Sequence, residues 1–530
     1  MGPPTRTSSS SAGTGDGPID GPVPRPTPGG TSAGAVPAGL EEFYAQQLDW
    51  QPCGPFSQSV DDDDLYDAPG IDCANLIVPL DYADPSGPTV ALALLRSAAT
   101  GERVGSLPMN PGGPGGSGTQ FVAQVSGSDE WQTLHQSFDF IGFDPRGVGA
   151  SRPRLTCFTD LESDAARAQN NRTNSDQGVA ETAATAGDYI ADCRTRTGAD
   201  EDIDGTEFLA NIGTDTVVKD LDVLRSALGE EKLTYLGFSY GTLLGQGYAG
   251  QFPGNVRAML LDGVVDPTKG PTALDQGQAV GFQTVFDAYA TWCSKQDECP
   301  LGKDPAKATA TYQQLVRPLL DTPEALSDGR TLTFLDATGG TLLALYANSL
   351  WPTLSKALTD LAAGDGDLLM ALGDYYLERD SDGHYGAIND VYNAVGCVDY
   401  PRVPADDKLV EQYNAAAPFQ DSGDPARAVA TPLWSNPHYF LCNLWPVEPT
   451  GVKTATSGEG LPTLLVVSTT NDPATPYQDG VNIAKRLDAR LLTFKGDQHT
   501  AYLSTGSSCV DDAGTAYLVD LTLPADDITC

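Results

Sequence analysis

Histidine is scarce in this sequence: four residues in 530, at positions 135, 384, 438 and 499. With so few imidazoles and no Cys-x-x-Cys pair, neither a zinc site nor any other metal or cofactor is expected. Positive charge is also short. Lysine and arginine number 31 against 71 aspartates and glutamates, a formal charge of −40. Such a surface repels polyphosphate, so nucleic acid and anionic membrane are not expected partners, and the surplus acid is read as solubility in a salty medium. Long apolar runs are missing too. The longest, Val90–Leu95 and Leu464–Val467, are far below the roughly 20 residues of a membrane helix and read as buried strands. The start, Met1-Gly2-Pro3-Pro4-Thr5, lacks the apolar stretch of an export signal. The expectation is that this signal was removed or that the recorded start is displaced, a cytoplasmic home being the third option.

What the chain does have is ten cysteines: Cys53, Cys73, Cys157, Cys193, Cys293, Cys299, Cys397, Cys442, Cys509 and Cys530. An even number spread along a large chain suggests disulfides made in an oxidising, extracellular compartment. Pairing is not deducible from sequence, and the expectation is that neighbours join in order.

Residues 1–38 form a Ser/Gly/Pro/Thr tract, expected to be a disordered tail or tether because it has too little apolar surface to offset ordering entropy. Beyond it, short apolar runs alternate with helical patterns, the signature of an α/β fold with a mostly parallel sheet and helices on both faces. Strands are expected at Asn75–Val78, Thr89–Leu95, Val104–Met109, Phe138–Phe143, Leu233–Gly237, Ala258–Leu261, Thr463–Ser468 and Arg490–Phe494. Helical patterns lie at Thr214–Leu228 and Thr242–Gln251. A long gap, residues 268–455, holds further helical segments near Phe282–Trp292, Ala308–Leu320 and Leu342–Leu361. It reads as a helical lid dividing an α/β core into residues 39–267 and 456–530.

The chemistry centres on Gly237-Phe238-Ser239-Tyr240-Gly241, a G-x-S-x-G that follows a strand and precedes a helix. A serine on such a turn is held in strained backbone angles and exposed as a nucleophile. Its hydroxyl requires a base, itself oriented by an acid, and in this fold class the order is Ser, Asp/Glu, His. His135 precedes the serine, and His384 and His438 fall in the lid, which leaves His499 as base. Asp472 follows the penultimate strand, 27 residues before His499, at the same sheet edge. Asp497, two residues from His499, is the rival acid. Thr475, before Pro476, reads as a helix N-cap. Acyl transfer also requires donors for the oxyanion. The loop Asn110–Gly118 supplies one, Gly113 first and Gly112 next, and the amide of Tyr240 supplies the other. No lysine follows these glycines, which excludes a phosphate loop.

Asn110–Gly118, Phe143–Ser151, Gly237–Gly241 and Asn471–Pro476 together resemble the prolyl-aminopeptidase-type serine peptidases, and most of all their secreted bacterial tripeptidyl-aminopeptidase branch, over residues 45–530. Where prolyl iminopeptidases carry His-Gly-Gly-Pro-Gly, this chain has Pro111-Gly112-Gly113-Pro114-Gly115, which favours the tripeptidyl branch. The resemblance implies an α/β-hydrolase fold and release of short peptides, tripeptides by preference, from a free amino terminus, by a monomer unless shown otherwise. Arg146 is assigned a structural role. For the α-ammonium the expected partner is Asp399, in Ala394–Tyr400, with Glu378 second and an ordinary structural acid as the alternative reading. A prolyl iminopeptidase, or a carboxylesterase or lipase-like hydrolase on the same scaffold, remains the competing function.

Overall fold

The computed structural model describes residues 18–19, 21–169, 176–403, 412, 414–423, 441–458, 460–526 and 528–530. Among them, nine strands form one sheet: β1 (Ile71–Pro79), β2 (Thr89–Ser97), β3 (Gly105–Asn110), β4 (Phe138–Phe143), β5 (Leu233–Phe238), β6 (Val256–Asp262), β7 (Leu465–Thr469), β8 (Arg490–Phe494) and β9 (Ile528–Thr529). Their order is β1-β2-β4-β3-β5-β6-β7-β8-β9. β2 pairs antiparallel with β1 and with β4, and every other neighbour pair is parallel.

Strand residues alternate between two apolar layers, as the period of two demands. Tyr235, Leu261 and Val466 pack on one face with helices α1 (Thr214–Ala227) and α2 (Tyr240–Gln251). Leu236, Leu260 and Val467 pack on the other with Val122, Trp131 and Tyr517. Strand order reverses between β3 and β5, where Asn110 stands opposite Gly237. A parallel sheet opens a crevice at the carboxyl ends of its strands at such a reversal. The two glycine-rich loops leave the sheet there, side by side.

The chain between β6 and β7 is mainly helical, but it is not one layer. Helices α3 (Pro271–Cys293), α4 (Phe334–Leu345), α5 (Trp351–Ala362) and α6 (Asp367–Tyr376) share an apolar cluster of their own. Helix α7 (Ile388–Asp399) instead packs into the main core through Val391, Ala394, Val395 and Val398. The run expected as helix over 342–361 is broken by a turn at Asn348–Leu350, and Pro352 starts the new helix. Among the described residues no helix is long and apolar enough to cross a membrane.

The tail expected to be disordered through residue 38 is mostly exposed from residue 21 onward but touches the core at several points. Thr89 donates to the carbonyl of Val23 at 2.9 Å, and Arg225, buried beside Asp222, donates to that of Ala33 at 2.9 Å. The tract has few apolar residues, but Ile19, Val23 and Val36 lie against the core, which also supplies hydrogen-bonding side chains for its backbone. Residues 1–17 and 20 lie outside the described residues.

All ten cysteines are bridged: Cys53–Cys73, Cys157–Cys193, Cys293–Cys299, Cys397–Cys442 and Cys509–Cys530. The last bridge ties helix α8 (Ser508–Asp520) to the residue after β9, the two-residue edge strand that the sequence pattern did not reveal.

Candidate active site

Ser239 occupies the turn between β5 and α2 with φ 53° and ψ −125°. A residue other than glycine held there stores about 1–3 kcal/mol of strain, and the surroundings leave it no alternative. A side chain at Gly241 would place its Cβ 2.6 Å from the Asn110 carbonyl oxygen. The amide of Ser239 donates to the Asp262 carbonyl at 2.9 Å, which fastens the turn to the end of β6.

The loop after β3 runs directly over this serine. Gly112 has φ +104°, and a Cβ there would lie 2.8 Å from that of Ser239. The Gly112 amide is already engaged, donating to Asn110 Oδ1 at 3.0 Å. The next amide in the loop is that of Gly113, which lines the cleft with Ser239. Tyr240 is the first residue of α2, where a helix amide has no partner within the helix. Gly113, Ser239 and Tyr240 line one cleft.

His499 and Asp472 come together at the carboxyl ends of β8 and β7. The imidazole Nδ1 stands 2.8 Å and 2.9 Å from the two carboxylate oxygens. Asp472 is buried and also accepts from the amides of Ala474, Thr475 and Thr500. Burial pushes the His499 pKa down, but the Asp472 carboxylate outweighs burial and the net shift is upward. On the far side of the ring, Nε2 is buried and has no hydrogen-bond partner, Ser239 included. The insertion also holds this histidine. The Tyr346 carbonyl accepts from the His499 amide at 2.8 Å, and the tyrosine ring meets the imidazole edge-on at 5.4 Å between centroids.

The rival acid, Asp497, is engaged elsewhere, accepting from Asn471 at 2.7 Å. Thr475 is not an N-cap: its helix begins at Tyr477, behind Pro476, with no side-chain cap. Its hydroxyl instead lies 3.4 Å from His499 Nδ1. The other described histidines are accounted for. His135 is buried, stacked on Phe140 and bonded to Ser97, and His384 pairs with Asp160. His438 lies outside the described residues.

Asp399 ends α7, faces the same cleft as Ser239, and is buried. Its oxygens accept from the Thr214 amide at 2.9 Å and the Thr214 hydroxyl at 2.5 Å, and that hydroxyl lies 2.6 Å from the Tyr240 phenol. Burial pushes its pKa up to about 7. Glu378 lies apart from this cleft. Its side chain lies against Gly386, and burial raises its pKa to about 7. The cleft has two further acids, Asp275 on α3 and Asp479, the latter paired with Lys269.

Arg146 is fully buried, with a two-pronged pair to Asp220 and bonds to the carbonyls of Pro79 and Leu80. It joins loops behind the site and touches none of the residues around Ser239. Among the described residues, no group of histidine, cysteine and acid side chains could hold a metal ion.

A family model described as the alpha/beta hydrolase fold matches residues 108–505. The chain belongs to the alpha/beta-hydrolase family. Among family members, serine protease Hip1 of Mycobacterium tuberculosis is 43% identical over 500 residues, covering 92% of this chain and 91% of its own. A protein of the same organism named carboxylesterase B is 41% identical over 495 residues, covering 92% and 90%. The tripeptidyl aminopeptidase of Streptomyces lividans is 32% identical over 503 residues, covering 91% and 86%. This alpha/beta hydrolase is a serine hydrolase.

Proposed function

We propose that the chain is an extracellular serine aminopeptidase that releases short peptides, tripeptides by preference, from a free amino terminus. The observation that carries this reading is the cleft itself. The cleft is lined both by Ser239 with the candidate oxyanion amides and by two carboxylates of the insertion, Asp275 and Asp399. A peptide whose scissile carbonyl meets Ser239 shares this cleft with buried carboxyl groups, which suit an α-ammonium. Charge-assisted hydrogen bonds in such a desolvated site are stronger than in water. The resemblance to a tripeptidyl aminopeptidase supports the same length. The five disulfides favour an oxidising compartment.

In this mechanism Ser239 Oγ attacks the carbonyl carbon and gives its proton to His499 Nε2. Asp472 steadies the imidazolium through Nδ1. The tetrahedral oxyanion takes hydrogen bonds from the amides of Gly113 and Tyr240. His499 returns the proton to the leaving amine, and water then hydrolyses the acyl-enzyme by the same steps. Asp399 receives the α-ammonium through the lone pairs that Thr214 leaves unused.

The test is mass spectrometry of products from a peptide library with free and acetylated amino termini. Tripeptides released from the free set alone are expected, and equal cleavage of the acetylated set would overturn the assignment. The carboxylesterase-named relative favours a second reading, ester hydrolysis on the same machinery. Comparing peptide p-nitroanilides with p-nitrophenyl esters separates the two.

A further inference from the structure

One buried carboxylate beside the site has no part in the steps above. Asp262 ends β6, between the strand that carries Ser239 and the strand that precedes Asp472. It is wholly shielded from solvent. Its Oδ2 accepts from the amides of Ala501 and Tyr502 at 2.8 Å and 2.7 Å, the turn that follows His499. Its Oδ1 is buried and has no partner. Its backbone carbonyl holds the Ser239 amide. The next residue, Gly263, has φ +68°, and a Cβ there would be 2.9 Å from the His499 ring carbon Cε1. The backbone at the end of β6 thus lies against the imidazole edge.

We propose that Asp262 is a positioning residue for His499, a second carboxylate that fixes the turn carrying the base and whose negative charge favours the imidazolium. This rests on the reading of Ser239 and His499 given above. A structural acceptor needs only one oxygen for the two amide donors, and an uncharged side chain of the same shape offers that, though more weakly than a carboxylate. Keeping a carboxylate there leaves one oxygen buried and unsatisfied, a cost of about 1–3 kcal/mol unless the charge is used. The charged groups bearing on Asp262 are Asp472 and His499, and those bearing on His499 are Asp472 and Asp262. Burial pushes the Asp262 pKa up to about 7, and each of the two groups acts on the other's charge. The two groups therefore titrate as a coupled pair.

The sign follows. Negative charge at Asp262 raises the pKa of His499, so removing it lets the imidazole lose its proton at lower pH. Asp262→Asn keeps the outline and one oxygen for the two amides while deleting the charge. The measurement is the pH dependence of inactivation of the full chain by diisopropyl fluorophosphate, a probe that requires an activated serine but no peptide specificity. In Asp262→Asn the midpoint of the rising limb should move to lower pH by about 0.5 unit or more. Asp262→Leu, which removes the acceptor as well, should also lower the plateau rate at least tenfold. An unmoved midpoint in Asp262→Asn, whatever the plateau, reduces Asp262 to a structural acceptor and overturns the proposal. If neither variant folds, imidazole nitrogen shifts in the unaltered protein decide: the His499 titration should show two inflections, and a single one overturns it. Labelling that persists in Ser239→Ala would instead overturn the assignment of the nucleophile.

Discussion

Ser239→Ala should leave the melting temperature close to that of the parent, or slightly raise it, because alanine relieves none of the packing and little of the turn. Turnover should fall by about 10⁴-fold or more, with His499→Ala close behind and Asp472→Asn retaining a trace through the Thr475 and Tyr346 contacts. Steady-state rates beside thermal melts check both halves. Asp399→Asn tests recognition: kcat/KM for free-amine peptides should fall by roughly 2–5 kcal/mol, while acetylated substrates barely change. Equal losses on both would return Asp399 to its bond with Thr214. Single residues differ in how openly the sequence displays them. Ser239 is flanked by glycines whose small size the turn requires, and its partners follow in a fixed order along the chain. Asp262 was invisible because an aspartate at the end of an apolar strand looks like any strand end. Glu378 stood second to Asp399 in the sequence reading, and of the two only Asp399 faces the cleft.

Elements were legible where one period dominates. β4 and β8 have the expected bounds, since each is an apolar run between turn residues. Contacts of the tail from residue 21 with Thr89 and Arg225, far along the chain, could not be read from its own composition. How the helices of the insertion divide between two cores was not legible, for a related reason. Which core a helix joins depends on its neighbours, so α7 could not be separated from α3–α6 by pattern alone. That division has a consequence at Tyr346, just past α4, which holds His499 by its carbonyl and its ring. Tyr346→Ala should lower kcat by about ten- to a hundredfold through a misplaced base, with KM little changed. Tyr346→Phe, which keeps the ring, should restore most of the rate. A loss confined to KM would mean that the insertion only binds substrate.

At the scale of the whole molecule, buried acids set the response to pH. Asp262, Asp399 and Glu378 have pKa values raised to about 7, and Asp390 to about 6, each mainly by burial. The folded chain therefore keeps protons that the unfolded chain releases near pH 4, and stability falls as pH rises from about 4 to 7. In the opposite sense, Asp222 and Asp164 are held below the ordinary range: burial raises them, but hydrogen bonds to Arg225 and to Arg379 outweigh it. Their contribution is lost as the solution becomes more acid than about pH 4. The melting temperature should thus be higher near pH 5 than at pH 8, and added salt should raise it at pH 8 by screening the net charge of −40. Calorimetry across that range checks both, and a melting temperature that climbs towards pH 8 would contradict the assignment of these acids. The bridges bear on how such a chain is made. Each of the five joins consecutive cysteines, and the widest separation is 45 residues. A chain threaded amino end first through a narrow passage presents its thiols one at a time. Were this chain made that way, every second thiol to emerge would find its mate already waiting, and oxidation in order of arrival would yield the five bridges with nothing to reshuffle.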